Sequence, residues 1–167
     1  MKTLVQASTL NALMLGNFDR TVSVREFLHH ADTGIGTYTG LDGEAIFEGG
    51  VAYKAAADGS VVVMGPDEGV AFGTVARFDE SAPEFELTGI ADIKALKKAL
   101  APYVAGNQNV FYVIKANGLF RTMHVRSCFA CEKPYPTLSE VAKNQREFHF
   151  ENTRGSVIAV WCPAYVN

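Results

Sequence analysis

From Gly34 onward the chain is cut by glycines and by Asn/Asp-Gly pairs into short runs rich in Val, Ile, Phe and Tyr. That punctuation constrains the fold more than any other feature, because β-branched and aromatic runs bounded by turn formers read as strands joined by tight connections. Strands are predicted at Gly36–Thr39, Gly43–Phe47, Val51–Ala56, Ser60–Met64 and Val70–Phe78. Gly49-Gly50 and Asp58-Gly59 supply two of the turns, and the whole reads as an antiparallel meander.

Helical signals flank this block. Ser8-Thr9 precedes the apolar spacing of residues 10–15, and Gly16 closes that helix. Ser23-Val-Arg-Glu26 is a capping-box pattern that opens a second helix, with Phe27 and Leu28 on its buried face and His29 and His30 in its last turn. Asp79–Leu87 is acidic, carries Pro83 and reads as an exposed loop. A helix over Asp92–Leu100 places Ile93, Leu96 and Leu100 on one side and its lysines on the other. Beyond it, strands at Val110–Lys115 and Leu119–Ser127 are expected to form a hairpin about Asn117-Gly118. Thr137-Leu-Ser-Glu140 is a second capping box, and a final hairpin is expected to turn at Asn152–Gly155. The fold class is α+β, a mainly antiparallel or mixed sheet with helices packed to one side.

Length and composition narrow the function. With 167 residues, 48% hydrophobic and 20% charged, one compact unit spanning residues 1–167 is the default. A net charge of −3 gives no reason to expect nucleic acid or an anionic membrane as partner. No apolar run approaches a bilayer crossing, no signal-peptide pattern opens the chain, and the sequence as given reads as cytosolic. Cys128, Cys131 and Cys162 are an odd, sparse set, so reduced thiols are expected. Cys128-Phe-Ala-Cys131 with Cys162 and either His124 or His149 could make a tetrahedral zinc site, although no second closely spaced ligand pair supports it. The chain stops at residues 161–167 directly after a strand, which leads us to expect further protein and the start of a second domain there.

Several strings, taken in order, resemble bacterial acetolactate decarboxylases. They are Ser8-Thr-Leu-Asn-Ala-Leu-Met14, Gly34-Ile-Gly-Thr-Tyr-Thr-Gly-Leu-Asp-Gly-Glu44, Glu132-Lys-Pro-Tyr-Pro136, Val141-Ala-Lys-Asn-Gln145 and Phe148-His-Phe-Glu-Asn152. The resemblance runs over nearly the whole chain and marks it as the N-terminal portion of such a protein. It implies a cytoplasmic, usually dimeric enzyme that removes carbon dioxide from 2-acetolactate, a 2-hydroxy-3-oxo acid, to give acetoin. It also implies a zinc ion held by three histidines, a His-x-His pair and a third farther on, in a C-terminal domain. The histidines here are His29, His30, His124 and His149, none in such a pair, so no metal ligand is assigned to this chain.

Loss of carbon dioxide from such an acid leaves an enediolate. A Lewis-acidic zinc would hold its charge, an arginine would orient the departing carboxylate, and a carboxylic acid would protonate the carbon. By resemblance Glu44 matches a glutamate that reaches the active site, Arg126 the substrate-binding arginine, and Thr37 a threonine lining the same pocket. Read from the residues alone, Glu44 is equally a strand glutamate after a Leu-Asp-Gly turn, and Arg126 a surface side chain. The segment from Cys128 to Cys131 departs from the proline, arginine and glutamine common in the family. If these 167 residues are the entire product, no catalytic zinc and no decarboxylation are expected. The competing reading is a half-enzyme without activity that associates through an exposed sheet edge near Val157–Trp161, a reading that a strictly monomeric light-scattering signal would count against.

Overall fold

The computed structural model describes residues 4–104 and 109–162. The chain divides into two compact units, one of Met1–Phe78 with Val113–Val160, the other of Asp79–Tyr112 with Trp161–Asn167.

The larger unit is built on a seven-stranded sheet. Its strands are β1 (Leu4–Ala7), β2 (Val22–Ser23), β3 (Thr33–Tyr38), β4 (Glu44–Glu48), β5 (Val51–Ala55), β6 (Val61–Val63) and β7 (Gly69–Ala76). Each pairing is antiparallel, in the order β1-β7-β3-β4-β5-β6, with β2 also on β7. The expected meander therefore holds from β3 to β6 but not for β7, which crosses back to pair with β3. β7 is buried along most of its length, from Val70 to Val75, and only a central position supplies neighbours on both edges. β1 and β2 carried no strand signal of their own; both exist as partners of β7.

The helices follow their caps. In α1 (Leu10–Met14) the Thr9 hydroxyl accepts from the Ala12 amide at 3.1 Å. α2 (Val24–Phe27) has the complete capping box: the Ser23 amide donates to the Glu26 carboxylate at 2.7 Å and the Glu26 amide to the Ser23 hydroxyl at 3.2 Å. This helix is shorter than expected, so His29 and His30 lie beyond its cap and meet edge to face, ring centroids 4.2 Å apart. Phe27 drops onto the sheet against Phe47, with ring centroids 5.2 Å apart, in a core that includes Tyr38, Val70 and Val75. A second core joins Leu13, Phe18, Leu41, Cys128 and Val141, the last of these from α4 (Leu138–Val141). There the Thr137 amide donates to the Glu140 carboxylate at 2.8 Å, as the second capping-box pattern anticipates.

Both later hairpins are replaced by a single ribbon. β8 runs unbroken over Tyr112–Ser127 and β9 over Arg146–Trp161, and the two pair with each other. A type I′ turn needs positive φ at both central residues, and neither Asn117 nor Gly118 has it. Asn117 instead accepts a hydrogen bond from the Ser156 hydroxyl across the ribbon at 2.6 Å, and Asn152 holds a lone positive φ of 48° inside β9. Turn propensity lost here to cross-strand pairing, which satisfies a whole row of backbone groups. The ribbon is tied to the sheet by the Ser127 hydroxyl, which donates to the Ala55 carbonyl at 2.8 Å, and by a Lys115–Glu48 ion pair.

In the smaller unit, residues 79–91 have no regular structure and α3 spans Ile93–Val104, longer than expected. The Asp92 carboxylate caps it by accepting from the Ala95 amide at 2.7 Å. Leu96 and Leu100 are half-buried as expected, but Ile93 is exposed because the first turn has little to pack against; Phe85 stacks on Tyr103 at 3.8 Å.

Candidate active site

Glu44 opens β4 because of what precedes it. A tight 3-10 turn at Thr39–Leu41 and then Gly43, at φ +79°, swing the chain from β3 back along itself. A Cβ at Gly43 would lie 2.7 Å from the Ala55 carbonyl, so only glycine fits both the backbone conformation and the space. The turn is pinned from both sides. Thr37, 5% exposed, donates its hydroxyl to the Gly43 carbonyl at 2.8 Å, and Lys54 pairs with Asp42 at 2.6 Å.

Thr37 and Glu44 are cross-strand partners, and Ala55 pairs with Glu44 on the other side. The Ser127 bond to Ala55 then fixes the end of β8, which brings Arg126 to Glu44. The resemblance had suggested Thr37, Glu44 and Arg126; the first two are near neighbours along the chain and pair across β3 and β4, while Arg126, far along the chain, comes within electrostatic reach of Glu44. The Thr37 proton is committed to Gly43, so its hydroxyl shapes the turn and offers a neighbour only its oxygen lone pairs.

The electrostatics of this place are unusual for a strand glutamate. Burial pushes the Glu44 carboxyl above its ordinary range, and the exposed Arg126 guanidinium opposes that rise. Burial also pushes up the Cys128 thiol, reinforced by Glu44 and then Cys131, with Arg126 again opposing. Cys131 is raised by burial as well. Burial thus holds both thiols in the protonated form, which makes them poor nucleophiles. Their role is packing: Cys128 sits in the second core, and the Cys131 amide donates to the Gly40 carbonyl at 2.7 Å, which holds the segment after β8 against the turn that leads to Glu44.

A half-buried carboxyl, a guanidinium, a hydroxyl already donated and two protonated thiols do not make a zinc cage. The residues around Glu44 do not fit that metal. The one set of at least three His, Cys, Asp or Glu side chains with converging donor atoms among the described residues is His124, Glu147 and His149, on the exposed ribbon, and it contains no cysteine. Sequence reading missed this set because two misplaced hairpins hid the pairing that joins it; the available signal was Glu147 and His149 two residues apart on a strand.

The sheet, the ribbon tied to it at Ser127 and the short helices around them make an α+β domain. The family model for alpha-acetolactate decarboxylase matches residues 4–167, and the chain belongs to that family. It is 35% identical over 162 residues to the alpha-acetolactate decarboxylase of Brevibacillus brevis, covering 97% of this chain and 56% of that one. Against the Lactococcus lactis subsp. lactis protein it is 36% identical over 160 residues, covering 96% and 66%. The crystal structure of acetolactate decarboxylase from Bacillus subtilis subspecies spizizenii superposes with a TM-score of 0.89 at 30% identity, covering 98% of this chain and 70% of that one. This chain thus spans little more than half the length of the Brevibacillus protein and about two thirds of the Lactococcus one. No helix among the described residues is long and apolar enough to cross a membrane.

Proposed function

We propose that this chain supplies the proton donor and the anion clamp for decarboxylation of 2-acetolactate to acetoin, with Glu44 as the acid and Arg126 as the clamp. The observation that carries this reading is the half-buried place of Glu44 at the start of β4, within electrostatic reach of Arg126, where burial raises its carboxyl. A raised acid keeps its proton closer to neutral pH, the condition for general acid catalysis, while a guanidinium presents a fork of donors to a carboxylate.

Arg126 binds the substrate carboxylate and fixes which carbon–carbon bond can break. Carbon dioxide departs, the bonding electron pair stays behind as an enediolate, and the Glu44 proton moves to carbon. Thr37 keeps Glu44 in place by holding the Gly43 carbonyl. A small-molecule 2-hydroxy-3-oxo acid as substrate, cytoplasmic location and a homodimer all belong to this proposal and rest on the family alone. Zinc belongs to this proposal through the family alone: the residues around Glu44 do not fit it, and none of them is assigned as a ligand.

Acetoin release from 2-acetolactate by the 167-residue chain tests the division of labour. Little or none is expected, with or without added zinc, and robust turnover overturns it. In an active protein that carries this chain, Glu44→Gln lowers kcat about 10²–10⁴-fold, the usual contribution of a general acid. Arg126→Ala weakens carboxylate binding about tenfold to a hundredfold, as loss of a charged hydrogen bond would. A Glu44→Gln variant with an unchanged rate removes Glu44 from the chemistry.

A further inference from the structure

We propose that His124, Glu147 and His149 form a site for a divalent cation of the zinc class on the exposed face of the ribbon, with none of its ligands drawn from Thr37, Glu44 or Arg126. β9 puts Glu147 and His149 on one face, two residues apart, and the pairing of β8 with β9 lays His124 against both. His124 Nε2 lies 3.2 Å from Glu147 Oε2, and the His124 and His149 rings stack at 4.0 Å with planes 16° apart. One donor atom from each residue falls within 4.8 Å of the others.

The geometry can be set against what a zinc ion needs. Bonds of about 2.0–2.1 Å in a tetrahedron put donors roughly 3.3 Å apart. The His124–Glu147 separation already meets that, and the remaining gap closes when the exposed His149 rotates out of its stack on His124. Two imidazoles and one carboxylate are a well-suited donor set for zinc, one that leaves the fourth position open to water or an anion. An open cleft of about 300 Å³, lined by His124, Val125, Arg126 and Glu147, gives such a ligand room. The plain alternative is a surface His124–Glu147 contact, which adds little to stability on an exposed face. That pair uses one histidine and gives no part to the second imidazole stacked on it. Arg126, lining the same cleft, repels a cation and favours modest affinity.

Cobalt(II) titration of chelator-stripped 167-residue chain, read by visible absorption with metal analysis, decides between them. The expected result is one equivalent bound with nitrogen and oxygen ligation, displaced by zinc, and weakened at least tenfold by His149→Ala and by Glu147→Gln. All three side chains are exposed, so these variants fold, and His29→Ala serves as a control that keeps full binding. Three outcomes overturn the site: no stoichiometric binding, binding unaffected by His149→Ala, or a thiolate-to-cobalt charge-transfer band that moves the ligands to the cysteines. None of them touches the assignment of Glu44 and Arg126.

Discussion

The seven-stranded sheet and the β8–β9 ribbon are both antiparallel strand assemblies in the same unit, yet they are held in different ways. The sheet surrounds side chains without solvent exposure, among them Phe47, Val70 and Val75. Along the ribbon's two 16-residue strands only Ser127 is buried, and its charged and polar residues make contacts across the strands instead. The sheet is stabilised by burial and can fix a residue such as Glu44 in a poorly solvated place. The ribbon is stabilised by pairing and presents groups such as Arg126, His124 and His149 outward. The candidate site arises where the two meet, at Ser127 on Ala55.

Truncating one phenylalanine in each region tests that contrast most sharply. Phe47 is fully buried against Phe27 and Tyr38, and Phe47→Ala is expected to cost about 3–5 kcal/mol in denaturant unfolding. Phe150, on β9, is 46% exposed, and Phe150→Ala is expected to cost about 1 kcal/mol or less. Equal losses would mean that the ribbon is as much a core element as the sheet.

A smaller effect separates backbone strain from crowding at the turn before Glu44. Gly43 and Gly50 both have positive φ, +79° and +81°, but a Cβ at Gly50 meets nothing within 4 Å whereas one at Gly43 runs into Ala55. Gly50→Ala should cost about 1–2 kcal/mol from conformation alone. Gly43→Ala should cost at least about 1 kcal/mol more, from the clash with a backbone carbonyl. Thermal melts of the two variants check the order, and a Gly43→Ala no worse than Gly50→Ala would mean that the turn is not wedged against β5.

The same contrast explains how much was legible in the sequence. Where burial decides, local pattern and outcome agree: the strands from Thr33 to Val63 and the capping boxes at Ser23 and Thr137 fall within a few residues of expectation, since turn glycines and alternating burial act together. Where long-range pairing decides, local signals mislead. Asn117-Gly118 is a strong hairpin signal that the structure does not use, and β1 and β2 are too short to announce themselves without β7. The site is an intermediate case. Glu44 and Arg126 were reached through resemblance and not through their own residue types; their approach needs the Ser127 bond, which no local spacing encodes. The His124–Glu147–His149 set was invisible for the same reason, because it exists only in the paired ribbon.

The mildest effect concerns Glu44 itself, where burial and Arg126 pull in opposite directions and partly cancel. Because the folded-state pKa is raised, the native protein holds this proton over a pH range in which the unfolded chain has released it. Below about 4.3, the ordinary glutamate value, both states are protonated and the residue adds no pH dependence. As pH rises from there through the higher folded-state value, the unfolded state gains from ionising and native stability falls. Glu44→Gln cannot ionise and escapes that loss. The variant should therefore gain on the parent chain between pH 4 and pH 7 in urea midpoint, with no change in the slope of the unfolding curve. In Glu44→Gln combined with Arg126→Ala, set against Arg126→Ala alone, the gain should be larger, since the opposing guanidinium is gone. If the parent chain instead becomes the more stable of the pair as pH rises, Arg126 outweighs burial, Glu44 is an ordinary ion-paired carboxylate, and its place as a proton donor has no electrostatic basis.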